Sequence, residues 1–138
     1  AVRDFMKQAG AADDSFMQYD GSGLSRHNLV SPDSVIAIYD YMGKRSSFAK
    51  AWRDSLTIGG VDGTLRNRFK GTRGEGNVRG KTGTINQVSA LSGYLTTTGG
   101  EEVIFSALVN GIPETRTRVA LIDELVMMLV NFNGRVAD

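Results

Sequence analysis

Lys81, Thr82, Gly83 and Thr84 form the run in this sequence best equipped to hold a small anionic group. An ammonium at Lys81 can hold a substrate carboxylate and tune nearby proton transfers, and the hydroxyl of Thr82 supplies a directional hydrogen bond. Gly83 has no side chain to obstruct a peptide backbone lying along a strand edge. Gly80-Lys81-Thr82 also ends like a phosphate-binding loop, but that motif requires Gly where this chain has Glu75, and a helix should follow it. The residues that do follow, Gly83, Thr84, Ile85 and Val88, favour a strand. A Ser–His–Asp arrangement could be assembled only from Ser22, Ser25 or Ser31 with His27 and Asp33. Residues so close in sequence rarely converge as nucleophile, base and orienting group. Adjacent acids at Asp13-Asp14 and Glu101-Glu102 alternate faces or sit in turns and read as solvated surface. The absence of Cys and the presence of one His exclude thiol nucleophiles, disulfides and zinc sites built on several imidazoles within this chain.

The elements that must position Lys81–Thr84 belong to an ordinary globular composition. The 138 residues carry 16 Lys plus Arg against 15 Asp plus Glu, a net charge of +1, with 41% hydrophobic residues. The length suits one domain spanning 1–138, and no apolar run approaches the ~18 residues of a membrane span. Nucleic-acid binding has no broad cationic surface to support it, although Arg66 to Lys81 holds six basic residues against one Glu. The chain starts at Ala1, with no charged and apolar leader, and reads as a processed or excised piece.

Val2 to Gln8 reads as the end of a helix capped by Gly10, and Ser15 to Tyr19 as a short strand entering the turn Asp20-Gly21-Ser22-Gly23. Ser31-Pro32 opens a helix carrying Val35, Ile36, Ile38, Tyr39 and Met42. Ser47 to Leu56 predicts a second helix, with Phe48, Ala51, Trp52 and Leu56 on one face. Val61 to Gly76 reads as an exposed, basic connection whose arginines are solvated. Asn77 to Ile85, Val88 to Thr98 and Glu102 to Asn110 predict three antiparallel strands, the last two joined at Thr98-Gly99-Gly100-Glu101. Pro113 to Asn131 predicts a closing helix with Val119, Ile122, Leu125, Val126 and Leu129 toward the sheet. Helices first, sheet later and helix last argue for an α+β layer arrangement.

Four ordered blocks then narrow the reading: Asp20-Gly-Ser-Gly-Leu-Ser-Arg26, Gly60-Val-Asp-Gly-Thr-Leu65, Val78-Arg-Gly-Lys-Thr-Gly-Thr-Ile85 and Leu91-Ser-Gly-Tyr94. Together they resemble the type-4 penicillin-binding proteins, the serine D-alanyl-D-alanine carboxypeptidases and endopeptidases of peptidoglycan. The resemblance implies the C-terminal part of a transpeptidase-like, β-lactamase-like domain, with antiparallel strands and a packed C-terminal helix. It implies Lys81, Thr82 and Gly83 as the third active-site motif. Thr84 would lend its N–H to the oxyanion hole and its hydroxyl to the terminal carboxylate. Arg26 matches an arginine lining a stem-peptide subsite, and Asn86 falls at a polar subsite position. Asp20, Ser22 and Ser25 are expected to hold loop shape through hydrogen bonds to backbone.

The family's Ser-x-x-Lys and Ser-x-Asn blocks precede Asp20 by a long stretch, and neither occurs there in this chain. Ser47-Phe-Ala-Lys50 spells the first motif, on an expected helix where Ser and Lys would share a face, but in the wrong place in the order. The resemblance therefore implies that the nucleophile lies on a missing N-terminal part of the same protein and that this segment alone is inactive. The intact protein is expected to cleave peptidoglycan stem peptides through an acyl-enzyme, to be acylated by β-lactams, to need no metal or cofactor, and to work in the periplasm or outside the cell. The alternative is a non-catalytic peptidoglycan-binding or interaction module that lacks the nucleophile.

Overall fold

Gly10 stops the first helix as its position requires. In the computed structural model, which describes residues 1–135, α1 (Val2–Ala9) ends with Gly10 at φ 96°, and the N–H groups of Gly10 and Ala11 return to the carbonyls of Lys7 and Met6. Only glycine adopts that left-handed conformation without steric cost. The chain divides into two compact units, Ala1–Trp52 and Arg53–Asp138.

In the first unit, α1 buries Met6 and Ala9. The expected strand over Ser15–Tyr19 contracts to β1 (Phe16–Met17), which pairs antiparallel with β2 (Leu29–Val30) in the register Phe16↔Val30 and Met17↔Leu29. β2 is two residues long and carries no periodic signal of its own; the pairing creates it. Ser31 caps α2 (Pro32–Asp40) by accepting the Ser34 N–H at 3.2 Å, with Pro32 in the first turn. α2 runs on into a single wider turn, Tyr41–Arg45, and Tyr41 receives the Gln8 amide at 2.7 Å and the edge of Phe5 at 5.7 Å. Tyr39 is buried with its ring 5.2 Å from Trp52. The helix expected over Ser47–Leu56 is shorter, α3 (Ala49–Asp54), and Phe48 is 68% exposed instead of facing inward. Ser46 accepts the N–H of Phe48 on its side chain and that of Ala49 on its carbonyl, so residues 46–48 form the turn that starts α3.

The second unit is an antiparallel sheet in the order β3-β4-β5-β6, covered on one face by a helix. The strands are β3 (Thr57–Ile58), β4 (Arg79–Ile85), β5 (Val88–Thr96) and β6 (Glu102–Asn110), followed by α4 (Thr115–Val130). The sequence expectation of three strands holds for β4 to β6, and β3 is an addition. The core joins Leu91, Leu95 and Phe105 of the sheet to Ile122, Val126 and Val130 of α4, with Leu65, Phe69 and Val78 from the preceding segment. Each of these side chains contributes about 1.5–3 kcal/mol on burial. The stretch Val61–Gly76 is therefore not a free connection: Leu65 and Phe69 anchor it, and Arg68 pairs with Asp123 through Nε at 2.9 Å and Nη2 at 2.5 Å.

The buried stripe of α4 is Arg118, Ile122, Val126 and Val130, an exact i, i+4 series, while Leu125 is 51% exposed. Arg118 is 1% exposed, and its guanidinium donates to the Ser89 hydroxyl at 2.9 Å, the Pro113 carbonyl at 2.8 Å, the Thr115 hydroxyl at 2.8 Å and the Ile112 carbonyl. It fastens the β6–α4 connection to β5.

Candidate active site

β4 is bounded on one side by all of β5 but on the other only by β3, whose two residues pair with Gly80 and Arg79. Among the described residues, the outer edge from Lys81 to Ile85 is open. The alternation of an antiparallel ladder decides which backbone groups it presents. The carbonyl of Val78 accepts the Gly59 N–H, that of Gly80 accepts the Thr57 hydroxyl at 2.8 Å, and that of Thr82 accepts Lys81 Nζ at 2.6 Å. Even-numbered residues thus face outward, so the N–H and C=O groups of Thr82 and Thr84 point to the open edge.

Side chains divide the other way. Thr82 and Thr84 lie opposite Leu91 and Ser89, on the face covered by α4. Lys81 and Gly83 lie opposite Ser92 and Ala90, on the other face. Ammonium and hydroxyls can therefore meet one ligand only around the margin of the sheet, which is where the open edge lies. Lys81 is exposed, Thr82 half-buried and Thr84 exposed. Asn86 is exposed in the turn that follows, where Gln87 takes φ 59° and its carbonyl accepts the Gly111 N–H at 2.9 Å.

Two features hold β4 in register. A Cβ on Gly93 would stand 2.2 Å from the Arg79 carbonyl oxygen, and one on Gly80 would stand 2.5 Å from that of Ser92, so this cross-strand pair admits no side chains. Asn77 clamps the entrance of β4 to the exit of β5: its Oδ1 accepts the Thr96 N–H at 2.7 Å and its Nδ2 donates to the Thr96 carbonyl at 2.8 Å. On the Lys81 face, Arg53 forms a fork to Glu102 at 2.7 and 2.8 Å and lies 4.2 Å over the Tyr94 ring, while Arg79 donates to the Arg53 carbonyl at 3.1 Å. The hydrogen bonds to Glu102, and then its charge, hold the Arg53 guanidinium still more firmly protonated than usual.

Thr64, which the sequence reading left as part of a connecting block, touches the site directly: the Thr82 hydroxyl donates to Thr64 Oγ1 at 2.9 Å. The signal was the block Gly60–Leu65 itself, which places Thr64 one residue before the fully buried Leu65.

Arg26 belongs to the first unit, exposed on the loop joining β1 to β2. That loop is organised by Asn28, which sequence reasoning also missed. Asn28 Oδ1 accepts the N–H groups of Tyr19 at 2.7 Å and Asp20 at 3.1 Å, and its Nδ2 donates to the Asp20 carboxylate at 3.1 Å. The Asp20 carboxylate also accepts the Ser22 hydroxyl at 2.8 Å and the Ser22 N–H at 3.0 Å, and Ser25 accepts the His27 N–H at 3.2 Å. Ser22, then Asn28, hold the Asp20 carboxyl below its usual range. These side chains shape the loop, as expected of them. His27 lies exposed with its ring 5.3 Å from that of Tyr19. Ser47, expected to share a helical face with Lys50, sits instead in the turn before α3, where Ser46 accepts the Phe48 N–H, and the helix begins only at Ala49.

A helical first part, an antiparallel sheet with Lys-Thr-Gly where β4 runs past the short β3, and a closing helix together define an α+β penicillin-binding fold. Residues 1–131 match the model of the D-Ala-D-Ala carboxypeptidase 3 (S13) family, and the chain belongs to that family. It is 42% identical over 125 residues to a D-alanyl-D-alanine carboxypeptidase of Actinomadura sp., covering 86% of this chain and 22% of that protein. It is 34% identical over 113 residues to the D-alanyl-D-alanine carboxypeptidase DacB of Haemophilus influenzae, covering 80% of this chain and 23% of that protein. The crystal structure of penicillin binding protein 4 from Haemophilus influenzae, complexed with a β-lactam, superposes with a TM-score of 0.83 at 30% identity, over 96% of this chain and 33% of that one. The chain thus spans less than a quarter of the length of these two curated relatives. The resemblance drawn from the four sequence blocks is borne out.

Among the described residues, no helix is long and apolar enough to cross a membrane.

Proposed function

We propose that this chain supplies the Lys-Thr-Gly strand and a substrate subsite of a serine-type D-Ala-D-Ala carboxypeptidase or endopeptidase acting on peptidoglycan stem peptides. The observation that carries the reading is the open edge of β4, with the Thr82 and Thr84 backbone groups turned outward and Lys81 exposed beside them.

In the proposed reaction, a serine hydroxyl on a segment outside these 138 residues attacks the carbonyl of the D-Ala-D-Ala amide and gives up its proton to a base. The carbonyl oxygen becomes an oxyanion, and the Thr84 N–H is one of its donors; such a donor is worth about 3–4 kcal/mol in the transition state. Collapse expels the terminal D-Ala as an amine, and water then hydrolyses the ester and frees the serine. Lys81 holds the substrate carboxylate and raises the local positive potential, and the Thr82 and Thr84 hydroxyls bond the same carboxylate. Gly83 leaves room for the peptide backbone. Arg26 pairs with a carboxylate of the stem peptide, and Asn86 offers a polar contact near the strand end. Both compact units belong to one transpeptidase-like domain in this reading, and the protein works in the periplasm or outside the cell, where its substrate lies. β-Lactams acylate the same serine.

Labelled penicillin on the intact protein tests this. The expected result is one covalent label on a serine outside this chain, release of D-Ala from a D-Ala-D-Ala peptide, and a fall in acylation rate of about 10²-fold or more in Lys81→Met. An intact protein that takes no label and releases no D-Ala refutes the enzymatic reading in favour of a binding module.

A further inference from the structure

We infer that Thr64 is a positioning residue for the Thr82 hydroxyl, setting its direction and polarity so that Thr82 donates its proton to the terminal carboxylate of a peptide. The inference rests on the carboxylate-binding reading proposed above and names a residue that reading does not use.

The geometry starts from one contact, Thr82 Oγ1 donating to Thr64 Oγ1 at 2.9 Å. The backbone around Thr64 is held from four directions. The Asp62 carboxylate accepts the Ile58 N–H at 2.7 Å, the Gly60 N–H reaches the Leu65 carbonyl at 3.0 Å, and the Leu65 side chain is fully buried. Gly63 takes φ 49°, and a Cβ there would lie 2.2 Å from Thr57 Cγ2, so the turn rests directly against β3. Thr64 itself remains exposed. Its hydroxyl is therefore placed by the backbone of a fixed turn while staying open to a ligand at the sheet edge.

A hydroxyl has one proton to give and lone pairs to accept with. Without a ligand, the Thr82 proton is spent on Thr64. A carboxylate is a stronger acceptor than a neutral hydroxyl, so on its arrival the Thr82 O–H turns to the ligand and the Thr64 O–H turns to the Thr82 oxygen. Each oxygen keeps its own proton, and the switch needs only rotation about two C–O bonds. Donation from Thr64 polarises Thr82 and makes it the better donor, as hydrogen bonds in a chain strengthen one another. The hydrogen bond to Thr64 also restrains the Thr82 side chain before a ligand arrives, which lowers the ordering cost of binding. The gain depends on the ligand's negative charge, so a peptide ending in a neutral amide receives little of it.

The test uses the intact protein containing this chain and two peptides, one ending in a free D-Ala carboxylate and one in the corresponding amide. Thr64→Val keeps the branched shape and removes the hydroxyl; Thr64→Ser restores the hydroxyl. The expected result is a fall of about tenfold in kcat/KM for the carboxylate peptide in Thr64→Val, carried mainly by KM. Residual turnover of the amide peptide and the thermal midpoint should stay unchanged, and Thr64→Ser should recover most of the loss. Equal losses on both peptides, no loss on either, or failure of serine to restore the rate overturns the role of Thr64. A wild-type protein inert toward both peptides and penicillin overturns the functional reading, and this inference with it.

Discussion

Placing a methyl group at Gly93 tests the account of β4 most directly, because the neighbour it meets is backbone. A Cβ there would lie 2.2 Å from the Arg79 carbonyl oxygen and 2.8 Å from Gly80 Cα. The carbonyl belongs to the β4–β5 ladder and cannot rotate away, so the strands must separate by about 1 Å at a point where they normally lie about 4.8 Å apart. Overpacking of this kind costs about 1–3 kcal/mol, and contact with main chain puts the value at the upper end. The loss of unfolded-state freedom on replacing Gly returns only about 0.4–1 kcal/mol, leaving Gly93→Ala destabilised by about 2 kcal/mol. For a cooperative unit the size of Arg53–Asp138 that is a fall in Tm of roughly 8–16 °C. Gly83→Ala is the matched control: its Cβ would meet nothing closer than the Ala90 methyl at 3.6 Å, an ordinary contact. Thermal denaturation of both variants followed by circular dichroism makes the comparison, with Gly83→Ala expected within about 0.5 kcal/mol of the parent. Equal midpoints for the two variants would refute the claim that a glycine pair sets the spacing at the start of the Lys-Thr-Gly run. In the intact protein, Gly83→Ala is expected to keep its stability and lose acylation by penicillin.

Arg118→Met should destabilise the second unit by about 2–4 kcal/mol in chemical denaturation, because the buried Ser89 hydroxyl loses its donor and the Thr115 hydroxyl and the Ile112 and Pro113 carbonyls lose the guanidinium that ties the β6–α4 connection to the sheet. Asp20 gives a pH prediction. Its folded-state pKa is depressed, so its contribution to loop stability is full above the unfolded value near pH 4 and is lost as pH falls through the lower folded value. The Ser22 amide resonance should shift across that acid range, and Asn28→Ala should move the transition upward; a Ser22 amide indifferent to acid would contradict the hydrogen bonds assigned to it.

Much of the second unit was legible because its elements are long and locally periodic. β6 spans the predicted Glu102–Asn110, and β5 falls short only where Thr97 and Thr98 turn into the connection. Gly10, Ser31 and Pro32 each marked a helix end through a backbone property belonging to one or a few residue types. What escaped was set by distant partners. β3 exists because Thr57 and Ile58 meet residues more than twenty positions on, and two residues cannot show a period. Arg118 opens the buried stripe of α4 while polar, so a search for apolar residues rotated the helix toward Leu125. Asn28 acts through a set of hydrogen bonds across its loop and Thr64 through one to a distant strand, which no composition or spacing records. Lys81 to Thr84 were legible as a motif; which of their backbone groups face outward followed only from the ladder.

The brevity of β3 sets a limit on the whole assembly. Four more residues of pairing would consume the outward groups of Thr82 and Thr84 and seal the margin. Left unsealed, an exposed row of donors and acceptors is also a template on which a second copy could dock and begin to aggregate. A lysine, which resists stacking against its own kind, and a glycine, which weakens strand propensity, stand in that row. The residues that would welcome a peptide thus also discourage the strand's own likeness from taking its place.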